Sequence, residues 1–197
     1  MLAAASQVFG ERGYAGTTTD AVATAAGVSQ AYVVRTFGSK ESLFAETADR
    51  AVGRVAAAFR RALEPGGAEG SANPGTDALS EGTVQQRLGR AYEELVADRG
   101  ILLTVMHLFT LGHHPRFGPL ARERMLGIYR LLRDEAHLTS AEAEAFLAKG
   151  MLINTVLGMR LPDIADADPD ARELLGCILE DAAEDVVQLA AEHPPLP

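Results

Sequence analysis

Residues 17–44 read TTTDAVATAAGVSQAYVVRTFGSKESLF, and the punctuation of this stretch decides the fold. Hydroxyl residues precede three successive apolar runs: Thr17, Thr18 and Thr19 before the first, Ser29 before the second, Ser39 before the third. A side-chain oxygen at such a position accepts a hydrogen bond from a free backbone N–H of the first helical turn, so each marks a helix start. Gly27 and Gly38 stand where the preceding helices must end. The spacing predicts a short helix carrying Val22, Ala25 and Ala26, a second over about 30–37, and a long one from 40 onward. Ala23, Gly27 and Val33 fall at the offsets of two helices crossing steeply over a tight turn. Ala23 must be small there, Gly27 relieves the turn, and Val28 and Val33 fill the space beneath. This is a helix-turn-helix pattern, whose second helix can enter a DNA major groove.

The chain on either side continues in helical periodicity, and no stretch alternates as a strand would. Leu2, Ala5, Val8 and Phe9 share one face of a first helix over 2–12, which Gly13 ends. The helix from 40 keeps Phe44, Ala48, Ala51, Val52, Val55, Ala58, Phe59 and Leu63 in step, a rod of roughly 35 Å at the usual rise per residue. PGGAEGSANPGTDALSEG, residues 65–82, has no periodic apolar face and reads as a flexible loop. Further helices are expected over 84–98, 101–111, 119–137, 140–161 and 169–192. Thr139 with Glu142 has capping-box spacing, and Asp168 precedes a proline suited to a first helical position. The expected class is all-α: an N-terminal three-helix helix-turn-helix domain over 1–46, then a larger helical ligand-binding and dimerisation domain over 47–197.

The chain has 197 residues, of which 47% are hydrophobic, enough for a core. The longest uncharged run, 101–115, holds three histidines and a proline and is too short to span a membrane. Residues 1–10 lack the basic start of a signal peptide. The single cysteine, Cys177, excludes an intrachain disulfide and a multi-cysteine zinc site. A formal charge of −9 argues at first against nucleic acid as a partner. Its distribution argues otherwise. Residues 1–50 hold four basic and five acidic residues, and 21–40 contain Arg35 and Lys40 with no acid at all.

A helix ending Phe9-x-x-x-Gly13-Tyr14, the Thr17-Thr18 start, Val22-Ala23-x-x-Ala26-Gly27-Val28-Ser29 and Phe37-Gly38-Ser39-Lys40-Glu41-x-Leu43-Phe44 follow in one unbroken order. Over about 1–47 the chain resembles the DNA-binding region of TetR-family transcriptional regulators. With Ser29 as its cap, the recognition helix would turn Gln30, Ala31 and Tyr32 toward base edges. Gln30 suits adenine, and Arg35 can fork onto guanine or hold a phosphate. Thr18 caps a helix whose N-terminal amides can receive a phosphate, and Lys40 resembles the family's phosphate-contacting lysine. Thr36 and Tyr32 can add hydroxyl contacts, although Tyr32 can equally pack on the protein and Thr36 bond its own backbone. Two departures stand out. Val34, Arg35 and Thr36 occupy positions where many relatives carry a tyrosine and a further aromatic or histidine, so Tyr32 would have to supply the usual tyrosine–phosphate contact. Relatives also carry a basic segment before the first helix, whereas this sequence opens inside it at Met1-Leu2.

In the body, Gly150, Asn154 and Gly158 recur every four residues, while Leu174, Ile178, Ala182 and Val186 form an apolar stripe on the last helix. The pattern alone fits an intrachain core or a partner; the resemblance implies a four-helix interface in a homodimer. Met106, His107, Phe109, Thr110, Tyr129 and Asn154 are candidates to line a small-molecule cavity, against the plainer reading of core side chains. His113-His114, with His107 nearby, lacks ligands to complete a metal site and is expected as a solvated loop. Cys177 is expected as a small buried hydrophobe. No catalytic constellation and no cofactor motif is present. The expected function is a cytoplasmic, ligand-responsive regulator, a repressor that binds a palindromic DNA operator as a homodimer and is released by a small-molecule effector. The competing class is a helical small-molecule-binding or scaffolding protein that has lost DNA binding, favoured by Val34 and the absent basic segment.

Overall fold

Hydroxyl side chains cap the starts of several helices, and glycines end two, in the computed structural model, which describes residues 1–64, 83–96 and 98–179. The described residues are helical, with no strand among them. The helices are α1 (Leu2–Gly16), α2 (Thr19–Ala25), α3 (Gln30–Phe37), α4 (Lys40–Leu63), α5 (Val84–Val96), α6 (Arg99–Thr110), α7 (Phe117–Arg130), α8 (Ser140–Gly158) and α9 (Pro169–Leu179). Residues pack into two compact units, one up to Leu138 and one from Thr139 onward. The expected boundary at 46/47 falls inside α4, which runs unbroken from the head into the body. The expected loop over 65–82, and the last helix beyond Leu179, lie outside the described residues.

In the first unit, α1 lies against α6 at unusually short range. A Cβ on Gly100 would stand 3.2 Å from the backbone nitrogen of Gln7, and one on Gly10 would stand 3.2 Å from the Leu103 Cβ. The approach lets two buried hydroxyls pair: Ser6 Oγ and Thr104 Oγ1 are 3.1 Å apart, and Thr104 donates to the Ser6 carbonyl at 3.0 Å. On the other side of α1, Phe9 meets Phe44 of α4 with ring centres 5.0 Å apart, and Phe44 meets Phe117 of α7 at 4.8 Å. All three rings are fully buried. Edge-to-face pairs of this kind add about 0.5–1.5 kcal/mol each to the stabilisation from burial alone.

Several expected boundaries shift, each for a visible reason. The first helix does not stop at 12: it is resumed after a kink at Gly13, whose φ of 66° only a glycine adopts cheaply. The helix expected over 119–137 begins at Phe117, and from Leu131 to Glu135 it widens into a π-helical turn. His137 then takes a left-handed φ of 56° and ends it without a glycine. The helix expected to reach 161 ends at Gly158, because Arg160 is left-handed and Pro162 has no N–H to continue the ladder. Both capping signals are present as expected. Thr139 and Glu142 form a reciprocal capping box, and the Asp168 carboxylate accepts from the Asp170 and Ala171 N–H groups.

The π turn is tied to α4 by a two-bond fork, Arg60 Nε and Nη2 donating to Glu135 at 2.9 and 2.8 Å. The Arg60 bond holds the Glu135 carboxyl below its ordinary range, against a smaller opposing effect of burial. A depressed folded-state value means the pair stabilises above the ordinary carboxylate range and is lost as pH falls through the lowered value. Glu135→Gln is therefore expected to lower the urea midpoint near neutrality, with a deficit from the parent protein that shrinks on acidification. Both side chains are about half exposed, so the neutral-pH loss should be modest.

A second test separates helix propensity from packing. Gly53 lies inside α4 with open space where a Cβ would go. Gly53→Ala should raise stability by about 0.5–1 kcal/mol in urea unfolding, whereas Gly100→Ala should lower it by forcing α1 from α6.

Candidate nucleic-acid interface

The local chemistry of residues 17–42 builds a rigid reading head. Thr17 is fully buried and ties back to α1, its hydroxyl bridging the Gly13 and Val8 carbonyls at 2.8 and 3.3 Å. That leaves Thr18 as the cap of α2, where its hydroxyl oxygen accepts from the Ala21 N–H at 3.1 Å. At the turn, Gly27 has φ 66° and the Val28 N–H reaches the Ala23 carbonyl at 3.0 Å. Val22, Ala23 and Val33 are buried in the crossing, as their spacing predicts. The Ser29 oxygen caps α3 by accepting from the Tyr32 N–H, and Ser39 caps α4 by accepting from the Ser42 N–H. Gly38, at φ 77°, makes the break between them.

With Val33 inward, α3 turns Ala31, Tyr32, Val34, Arg35 and Thr36 to the outside. Tyr32 and Val34 are 42% and 43% exposed, which is high for large apolar side chains on so short a helix. The Arg35 guanidinium lies over the Tyr32 ring, 5.4 Å from its centre, so the cation is held on a flat apolar support. The Thr36 hydroxyl donates to the Tyr32 carbonyl at 2.8 Å, its local-backbone alternative. Gln30 donates from its side-chain amide to the Thr19 hydroxyl oxygen at 3.1 Å. Lys40, at the start of α4, spends one N–H on the Tyr14 carbonyl at 3.0 Å and sits 4.5 Å above the Tyr14 ring. Its other two N–H bonds remain for an anion.

Behind this surface lies a junction whose contacts, unlike several of its members, had no signal in sequence. His113 is exposed in the loop after α6, as expected, but His114 in the same loop is half-buried, stacks on Phe117 with ring centres 4.0 Å apart and abuts Tyr14 edge-on. Its Nδ1 accepts the Arg116 and Phe117 N–H groups and is therefore unprotonated in the neutral ring. The proton then sits on Nε2, 3.4 Å from Glu41. Arg116 completes the clasp by donating to Ser42 Oγ at 3.1 Å. Burial, and secondarily the Glu41 charge, push the Tyr14 phenol above its ordinary range, with Arg116 opposing.

The residues expected to line a small-molecule cavity lie on α6, α7 and α8. His107 Nε2 lies 3.0 Å from the Gly10 carbonyl, which can only accept, so this nitrogen carries the proton and ties α6 to α1. Met106, Phe109 and Tyr129 are half-buried in the first unit, and exposed Thr110 bonds the His107 carbonyl. Asn154 belongs to the second unit, is 2% exposed, and donates toward the Met151 sulfur. The expected ligand set is thus not one cluster within either unit. On the expected partner face, Gly150 and Gly158 are half-buried, Asn154 and Ile178 are buried, and Leu174 is exposed. Ala182 and Val186 lie outside the described residues. Cys177 corrects an expectation: it is exposed, since Ala171, Leu175, Ile178 and Leu179 take the inward face of α9. No group of acids, histidines and cysteine among the described residues could hold a metal ion, and no helix there is long and apolar enough to cross a membrane.

An all-helical chain with a capped, cation-bearing helix-turn-helix at its N-terminus defines a class. Residues 1–47 match the family described as bacterial regulatory proteins, tetR family. The match covers the helix-turn-helix segment, and members of that family are DNA-binding transcriptional regulators. Its fold is similar to that of the TetR-family transcriptional regulator PfmR from Thermus thermophilus, at 21% identity and a TM-score of 0.54, over 95% of this chain and 96% of that one. It is also similar to that of the multidrug binding protein EbrR complexed with imidazole, at 22% identity and a TM-score of 0.51, over 100% of this chain and 93% of that one. No curated protein matches the chain.

The caps carry a direct test. Ser29→Ala should cost about 1 kcal/mol in urea unfolding and weaken DNA binding further than Thr36→Ala, whose hydroxyl serves only its own helix.

Proposed function

We propose that the chain is a ligand-responsive transcriptional repressor rather than an enzyme, acting in the cytoplasm and binding a palindromic operator as a homodimer. The observation that carries the reading is the outward face of α3. An arginine mounted on a tyrosine, with Gln30 and Ala31 in the first turn, meets the solvent from a segment with no acidic residue between 21 and 40. Arg35 and Gln30 read bases; Ala31 and Val34 suit the methyl group of thymine; Tyr32, Lys40 and the start of α2 at Thr18 serve phosphates.

The homodimer rests on a different surface. Ala141, Ala145, Ala148, Leu152, Thr155 and Met159 form an exposed stripe along α8 at spacings of three and four, and Leu174 and Cys177 are exposed on α9. Leu152 and Met159 are 44% and 63% exposed. A second copy of this face would cover it, one step round the helix from the Gly150, Asn154 and Gly158 line. Two recognition helices must then stand about one duplex turn apart, roughly 34 Å. Release follows if an effector favours a different separation. EbrR, which shares the fold, is a multidrug binding protein, and a small molecule held in the body is the corresponding effector here.

The test is selection of bound duplexes from a random pool, followed by a titration of affinity against salt. The parent protein is expected to enrich an inverted repeat, and Arg35→Ala to lose the enrichment while retaining weak binding to any duplex. Affinity should fall as salt rises, with a slope set by the few phosphate contacts the head makes. If no sequence is enriched even at low salt, the competing reading, a ligand-binding protein without DNA binding, takes its place.

A further inference from the structure

The helix-turn-helix contains one side-chain bond between its two helices that no cap or core contact requires. Gln30, the first residue of α3, donates from Nε2 to the hydroxyl oxygen of Thr19, the first residue of α2, at 3.1 Å. Both residues are bound at the solvent edge of the module, and the neighbouring caps are supplied by other residues, Thr18 for α2 and Ser29 for α3. The bond is thus additional to those that form the helices. Its partner is the side chain best suited to reading a base.

From this juxtaposition we infer that Thr19 is a positioning residue for base recognition: its hydroxyl fixes the Gln30 amide so that the free edge faces adenine. The inference rests on the DNA-reading role proposed above. A primary amide has two N–H bonds and one carbonyl oxygen. One N–H spent on Thr19 leaves the other N–H and the oxygen, the pair that meets adenine N7 and N6 in the major groove. A free glutamine rotates about three side-chain torsions and presents its amide in either sense, so ordering it on the base is costly and the reversed amide can serve other bases. Anchored on Thr19, the nitrogen is committed to one side and the oxygen to the other. Ordering has been done before DNA arrives, and the reversed presentation is disfavoured. Thr19 is well placed for this, since a β-branched residue at a helix start has few rotamers open to its hydroxyl.

The experiment compares the parent protein with Thr19→Val, Thr19→Ser and Gln30→Ala in selection from a random duplex pool, reading base preference position by position. The parent is expected to require adenine at one position of each half-site. Thr19→Val, equal in shape but without the hydroxyl, should relax that one preference by at least about fivefold, the low end of what a bidentate contact discriminates. Other positions and non-specific binding should be unchanged. Thr19→Ser should restore the preference, and Gln30→Ala should abolish it. In the free protein, the Gln30 side-chain amide resonances should move in Thr19→Val and return in Thr19→Ser. A Thr19→Val protein that keeps the preference lost by Gln30→Ala overturns the inference and leaves the DNA-reading role intact. So does one that weakens binding to every sequence alike, which would make Thr19 a phosphate contact, or one whose amide resonances do not move. A parent protein that enriches no sequence removes the DNA-reading role and this inference together.

Discussion

The seat of α1 on α6 is the constraint from which the rest of the first unit takes its position. Two helices approach this closely only where one offers no side chain to the other, and Gly10 and Gly100 provide that clearance. The clearance brings buried polar groups together: the Ser6 and Thr104 hydroxyls satisfy one another, and His107 reaches the Gly10 carbonyl. Each such bond is worth about 0.5–1.5 kcal/mol net, but orphaning one partner costs about 1–3 kcal/mol. Displacement of α1 by even an ångström would therefore both break the bonds and leave their partners unsatisfied. The helix is fixed in register as well as in contact. From that fixed register Phe9 enters the ring cluster of α4 and α7, and Gly13 directs the chain toward α2.

What α1 fixes at one end, the start of α4 receives at the other. Tyr14 offers its carbonyl and ring to Lys40, while Glu41 faces His114 and Ser42 accepts from Arg116. The loop between α6 and α7 thus grips the first turn of α4 immediately beyond the recognition helix. Because α4 continues unbroken for 24 residues, the head cannot turn relative to α4's body end without disturbing this grip. The acidity of the chain also becomes intelligible here. Acids near the head, such as Glu41 and Asp49, are set against His114 and Arg124 of the body, whereas the outward face of α3 carries cation only.

Local chemistry was readable from the sequence and long-range chemistry was not. Ser29, Ser39, Gly27, Gly38 and the Thr139–Glu142 box act on backbone groups within a few residues, so their spacing alone reveals them. Among three consecutive threonines Thr18 was legible as the cap, but Thr17 turning inward to α1 and Thr19 meeting Gln30 were not, since the crossing of helices rather than the residue type decides them. His114 was misread for a related reason. Its places beside Glu41 and Tyr14 depend on a fold that joins residues more than 70 positions apart. Cys177 was assigned to the apolar side of a stripe that in fact has two apolar sides, one buried and one exposed. The π turn at 131–135 left no composition signal; it stands beside the Arg60 fork to Glu135 and the left-handed His137.

The recognition helix is the least self-sufficient element of the head. At eight residues α3 is far too short to be helical alone, because nucleation is costly and few bonds follow to offset it. It buries Val33 fully, half-buries Phe37 and displays its other side chains to solvent. Its helicity and its aim are therefore borrowed: from Ser29 at its start, from Gly38 at its end, and from α2 and α4 on which it leans. With so few side chains buried, substitution at 30, 31, 34 or 35 is expected to leave the fold intact. Arg35 on Tyr32 and Gln30 on Thr19 then share one logic. Each long, flexible side chain leans on a stiffer neighbour, which supplies locally the order that the short helix cannot.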